Sequence, residues 1–67
     1  MIKIMNIGEA ITKRRLKLKL TQFELASKAN ISQTYLSQIE CNLRNPTITV
    51  LCNIADSLNM EVYKLLK

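Results

Sequence analysis

The chain has 67 residues, 48% of them apolar, and a formal net charge of +5. That length allows one domain with one core, which buries only about 60% of the surface its unfolded chain exposes, and the apolar share is too high for a disordered tail. No apolar run approaches the roughly 18 residues of a membrane span, Met1–Met5 is too short and polar for a signal peptide, and a cytoplasmic protein is the expectation.

The first helix is expected to begin at Asn6, with Glu9 three residues on as a capping box, and to run to about Lys17 or Lys19. Its apolar positions Ile7, Ile11 and Leu18, with Ala10, recur at helical spacing. Thr21 with Glu24 forms a second capping box and opens a helix from Gln22 to about Ala29. Ser32 caps a third helix, which ends near Glu40 or Cys41, and Ile31 before it can staple onto Leu36. Arg44-Asn45-Pro46 breaks the pattern, and Thr47 caps a fourth helix from about Ile48 to Leu58. Its stripe is Ile48, Leu51, Ile54, Ala55 and Leu58. A short fifth helix covers about Val62 to Leu66. Asn30, Asn42 and Asn59 each follow a helix end, where a positive φ is often needed and Asn tolerates it best after Gly. In a chain whose only glycine is Gly8, that is how five helices can be separated. The fold class is therefore all-α, a compact bundle of five short helices in one domain over residues 1–67.

Cys41 and Cys52 lack metal-ligand spacing, and a chain without His offers no partners for a zinc site. Both read as reduced thiols. The absence of His also removes the commonest general base, and neither a nucleophile–base set nor a Gly-rich phosphate loop is found. Neither catalysis, a cofactor nor a metal is expected. Charge is uneven: residues 1–33 carry seven Lys or Arg against Glu9 and Glu24, while Arg44, Lys64 and Lys67 balance Glu40, Asp56 and Glu61 in the remainder. A basic half suits a polyanion partner; a solvated helix face explains it equally well.

Residues 22–41 carry the most information. Two short helices crossing at roughly 90–120° through a tight turn need apolar contacts at Leu25, Ala29, Ile31, Leu36 and Ile39. They also need a small residue at close approach, Ala26, and a residue that reverses the chain, Asn30. All of these are present at the required offsets.

At this point the sequence resembles the phage repressor and Cro-like helix-turn-helix family, the XRE family, over about residues 7–66. Thr21-Gln22-Phe23-Glu24-Leu25-Ala26 resembles the family's Ser/Thr-Gln-x-Glu-Leu-Ala opening. Ile39-Glu40 with Arg44-Asn45-Pro46-Thr47, and then Leu51, Ala55, Leu58 and Leu65-Leu66, resemble its later stretches. The resemblance implies a lambda-repressor-like bundle and a sequence-specific regulator of transcription, a repressor, bound to double-stranded DNA. Lys19 and Asn42 depart from the family pattern, which has Gly at both places, so the loop geometry is expected to differ or be strained there.

A recognition helix starting after Ser32 enters the major groove N-terminus first. With Leu36 and Ile39 facing the core, Gln33, Thr34, Ser37 and Gln38 face outward as candidates for base contact; the alternative is a merely soluble polar face. Gln pairs bidentately with adenine N6 and N7. The resemblance assigns base readout to the positions of Gln33, Thr34 and Gln38, and a phosphate to Gln22, at a helix N-terminus that favours an anion. Ser32 and Lys17 are further candidates for the DNA backbone, and Arg44 and Asn45, in the loop after the recognition helix, for the backbone or the minor groove. Tyr35 either reaches a phosphate or packs over the helix edge. The resemblance also places Arg15 opposite Glu40 in a partly buried ion pair, while Arg14, Lys17 and Lys19 are expected to supply a positive field.

One recognition helix covers too few base pairs to find a site in a genome. A homodimer through the C-terminal helices is expected, with Met60, Val62, Tyr63 and Leu66 as contacts. The competing reading is a protein-interaction module on the same fold, such as an antitoxin or anti-repressor. A peripheral membrane role for the basic first helix is disfavoured, because its apolar stripe is spent on the core.

Overall fold

A computed structural model describes residues 7–65. The helices are α1 (Ile7–Lys17), α2 (Gln22–Ala29), α3 (Gln33–Glu40), α4 (Ile48–Ser57) and α5 (Val62–Leu65). The described residues are all-helical apart from turns and loops. The cap expected at Asn6 and the end of the last helix at Leu66 lie outside the described residues.

Three helix starts are fixed by hydroxyl caps. Thr21 Oγ1 accepts from the Glu24 amide at 3.0 Å, and Glu24 Oε1 accepts from the Thr21 amide at 2.8 Å, closing the box at α2. Ser32 Oγ accepts from the Tyr35 amide at 3.0 Å, and Thr47 Oγ1 from the Val50 amide at 3.2 Å. Each satisfies one of the amides that a helix N-terminus leaves unpaired.

The helix ends share one solution. After each of α1 to α4 an amide reaches back five residues: Leu20 to the Arg15 carbonyl at 3.0 Å, Ile31 to Ala26 at 3.0 Å, Leu43 to Gln38 at 2.8 Å, and Met60 to Ala55 at 3.0 Å. This closure needs a left-handed residue just before the donor, and Lys19, Asn30, Asn42 and Asn59 take it with φ of 61, 61, 62 and 57°. Asn supplies three of the four at low cost. At Lys19 the turn keeps the glycine-like geometry, so the departure in sequence is carried as backbone strain, not as a different loop.

The core consists of Ile11, Leu25, Ala26, Ala29, Leu36, Ile39, Leu51, Ile54, Ala55, Leu58 and Leu65. α4 packs chiefly on α2, while α3 is wedged against α1 and α2. Ile48, expected in the α4 stripe, is 65% exposed. It is the first residue of its helix and sits beyond the rim of the core, where Val50 packs instead. Met60 and Val62 also pack against the core and are half-buried. Tyr63 is 55% exposed, which leaves it as the fully outward residue among the described members of the expected dimer set.

The N-terminus of α1 meets the C-terminus of α3 almost backbone to backbone. Gly8 is buried, and its amide donates to Asn42 Oδ1 at 3.2 Å. A Cβ at Gly8 would lie 2.5 Å from the Glu40 carbonyl oxygen and 2.6 Å from that of Ile39. Gly8 is therefore required by contact and not by its φ.

Candidate functional site

With Leu36 and Ile39 buried at 0% and 1% exposure, the period of the helix leaves one face of α3 toward solvent. Gln33 and Thr34 are exposed there, and Ser37 and Gln38 are half-buried. These four line an open depression together with Gln22, from the start of α2. All five lining side chains are uncharged amides or hydroxyls, able both to donate and to accept hydrogen bonds. Such a surface discriminates by hydrogen-bond pattern and not by charge.

A polar network runs beneath one end of this surface. Arg15 Nε lies 2.8 Å from Glu40 Oε2 and Arg15 Nη2 donates to Glu40 Oε1 at 3.1 Å, a side-on bidentate pair with side chains 11% and 4% exposed. Arg15 Nη1 donates to the Leu20 carbonyl at 3.0 Å, so the same guanidinium also holds the α1–α2 turn. Gln22 Nε2 donates to Glu40 Oε1 at 3.0 Å. Burial pushes the Glu40 carboxyl upward, but the hydrogen bonds from Arg15 and Gln22, the Arg15 charge and a bond from Thr12 together outweigh it. Glu40 is thus held below its ordinary value and stays charged.

The remaining candidates are dispersed. Tyr35 is half-buried and packs against the core, with the Arg44 guanidinium over its ring at 5.1 Å from the centroid. Of the two readings of Tyr35, packing is what its ring does. Ser32 uses its hydroxyl oxygen as the α3 cap. Lys17 and Asn45 are exposed but do not line the depression.

Arg14 corrects an expectation. It makes individual contacts and does not serve as positive field alone: its Nε donates to the Leu58 carbonyl at 3.0 Å and its Nη2 to that of Asn59 at 3.4 Å. It caps the C-terminus of α4 from α1. No signal in the local sequence separates it from Lys13 or Lys17, because its partners lie more than forty residues away. Likewise, the bond from Gln22 to Glu40 could not be foreseen, although both residues were singled out separately.

A family model described as helix-turn-helix matches residues 11–65. The immunity repressor protein of Bacillus phage phi105 is 41% identical over 58 residues, covering 87% of this chain and 40% of that protein. The HTH-type transcriptional regulator SinR of Bacillus subtilis is 39% identical over 61 residues, covering 90% of this chain and 55% of SinR. The chain therefore spans only about half the length of these relatives, or less. A crystal structure of SinR, described as the master regulator for biofilm formation and solved in complex with DNA, superimposes with a TM-score of 0.87 at 39% identity. That superposition covers 91% of this chain and 98% of the SinR chain. The matched residues take in the depression, the Arg15–Glu40 pair and all four helix-terminating turns, and on that basis the chain belongs to the helix-turn-helix family, in its phage repressor and Cro-like (XRE) branch.

Proposed function

We propose that this chain is a single helix-turn-helix domain that binds double-stranded DNA sequence-specifically and represses transcription, with α3 seated in the major groove. The observation that carries the reading is the uncharged amide-and-hydroxyl surface of Gln33, Thr34, Ser37 and Gln38 on a helix whose opposite face is buried. Gln33 and Gln38 have the donor and acceptor needed for bidentate pairing with an adenine edge, and each such pair discriminates by about 1–3 kcal/mol. Support also comes from the likeness to SinR in its complex with DNA and to a phage immunity repressor.

Around that surface we assign the backbone contacts to Gln22, Ser32, Tyr35, Arg44, Asn45 and Lys17. Ser32 accepts from the helix with its oxygen and keeps its hydroxyl proton for a phosphate. Arg44, with its guanidinium over the Tyr35 ring, is held against the first turn of α3. These contacts position the protein without reading sequence. Arg15 and Glu40 are structural in this scheme. A homodimer through the region of α4 and α5, centred on Tyr63, places two α3 helices on half-sites about 34–36 Å apart. A cytoplasmic location goes with this role, and no helix among the described residues is long and apolar enough to cross a membrane.

The test is selection of bound sequences from random duplex DNA by the full chain. The expected result is enrichment of a two-fold symmetric site with half-sites about 10–10.5 base pairs apart. Absence of enrichment overturns the reading. A protein-interaction module on the same fold is the second reading, favoured by the exposed Leu16, Phe23, Leu43, Ile48 and Tyr63. It requires a stoichiometric protein partner whose binding survives replacement of Gln33 and Gln38 by Ala.

A further inference from the structure

Glu40 occupies a costly position. It is the last residue of α3, where the helix dipole opposes a negative charge. It also puts a carboxylate, 4% exposed, beside a surface assigned to a polyanion. Arg15 offsets the charge but does not explain its presence, since well-packed apolar residues often replace such pairs without loss of stability. The hydrogen bond from Gln22 to the carboxylate gives a reason. Glu40 Oε1 accepts both from Arg15 Nη2 at 3.1 Å and from Gln22 Nε2 at 3.0 Å.

We propose that Glu40 is a positioning residue for DNA: its carboxylate fixes the Gln22 amide at the edge of the depression and so aligns it for a backbone phosphate. This rests on the DNA-binding reading above. A Gln side chain has two N–H donors on one planar group. With one N–H held by Glu40, the plane is set and the second N–H remains for an incoming oxygen. Gln22 is half-buried and lines the depression with Gln33, Thr34, Ser37 and Gln38, so its amide stands next to the face of α3. Because Arg15 reaches from α1 and also holds the Leu20 carbonyl, one network sets the phosphate donor on α2 relative to the reading helix α3. A preset side chain gives up less conformational freedom on binding than a free one.

The substitution Glu40→Gln separates this role from plain electrostatics. The variant has a single acceptor oxygen, which the charged Arg15 fork takes, turning the new NH2 group toward Gln22 as donor against donor. Removing a negative charge beside DNA should by itself tighten binding, whereas losing the alignment of Gln22 weakens it. Affinity is measured for the full chain on the duplex that the wild type selects from random DNA, at fixed salt, with melting temperature recorded for each variant. The expected result is binding weaker by about tenfold in folded Glu40→Gln; equal or tighter binding overturns the proposal. If Glu40→Gln does not fold, the double variant Arg15→Met/Glu40→Leu replaces the pair with apolar groups and carries the test. In that background Gln22→Ala is expected to cost less than about twofold, against about tenfold in the wild type. Equal costs in both backgrounds overturn the positioning role while leaving the DNA reading intact. A wild type that selects no duplex overturns both.

Discussion

The amide of Gly8 donates to Oδ1 of Asn42 at 3.2 Å, joining the first turn of α1 to the left-handed residue that ends α3. The bond forms only because Gly8 carries no side chain, since a Cβ would fall within 2.8 Å of three oxygens, two of them backbone carbonyls. In an ordinary helix Gly→Ala stabilises by up to about 1 kcal/mol. Here the sign is expected to reverse. Gly8→Ala should destabilise by about 1–3 kcal/mol through overpacking, as measured by urea unfolding.

Lys19 supplies the second prediction. It holds φ 61° in the same closure that Asn makes at positions 30, 42 and 59. Lys19→Gly should relieve about 1 kcal/mol of backbone strain and raise Tm by about 4–8 °C. Lys19→Ala removes the same charge without freeing the backbone and should give no such rise. Thermal melts of the two variants side by side check this.

The caps at Thr21, Ser32 and Thr47 and the three Asn turns were readable in the sequence, because each is a relation among residues at most a few positions apart. The fold class followed from them, with an apolar period matching the buried set at Ile11, Leu25, Leu36, Ile39, Leu51, Ile54 and Leu58. The Arg15–Glu40 pair came from the family resemblance; the other relations across the chain escaped. Arg14 looks like any basic residue in the run from Lys13 to Lys19 until α4 ends beside it. Ile48 fits the α4 period, but no periodicity tells where the core stops. Gly8 reads as a weak helix residue until its neighbour across the bundle is known. In the candidate site, the outward face of α3 was legible from its buried partners, whereas the tie between Gln22 and Glu40 depends on how three helices meet.

Arg14→Met tests the cap that sequence did not disclose. It keeps the aliphatic stem and removes the donors to the Leu58 and Asn59 carbonyls. A loss of about 1–2 kcal/mol in urea unfolding is expected. Amide exchange should rise most in the last turn of α4. A uniform effect across the chain would point to general charge removal instead.

The ion pair beneath the site predicts a pH dependence. The Glu40 carboxyl titrates lower in the folded chain than its ordinary value of 4.5, so the unfolded state takes up its proton first as pH falls. The stability from this group is therefore fully present above about pH 4.5 and is lost as pH drops through the folded value below it. Urea unfolding followed from pH 7 to pH 3 should show the loss in the wild type. It should show a shallower dependence in the Arg15→Met/Glu40→Leu variant, where no charged pair remains to titrate.

The division between reading and holding on α3 is tested most directly by comparing Gln33→Ala with Lys17→Ala on two duplexes, the selected site and an unrelated sequence of equal length. Gln33→Ala is expected to weaken the selected site by about 1–3 kcal/mol while leaving the unrelated duplex nearly unchanged. Lys17→Ala is expected to weaken both alike and to reduce the salt slope by about one. Equal losses on both duplexes for Gln33→Ala would contradict the assignment of α3 as the helix that reads DNA sequence.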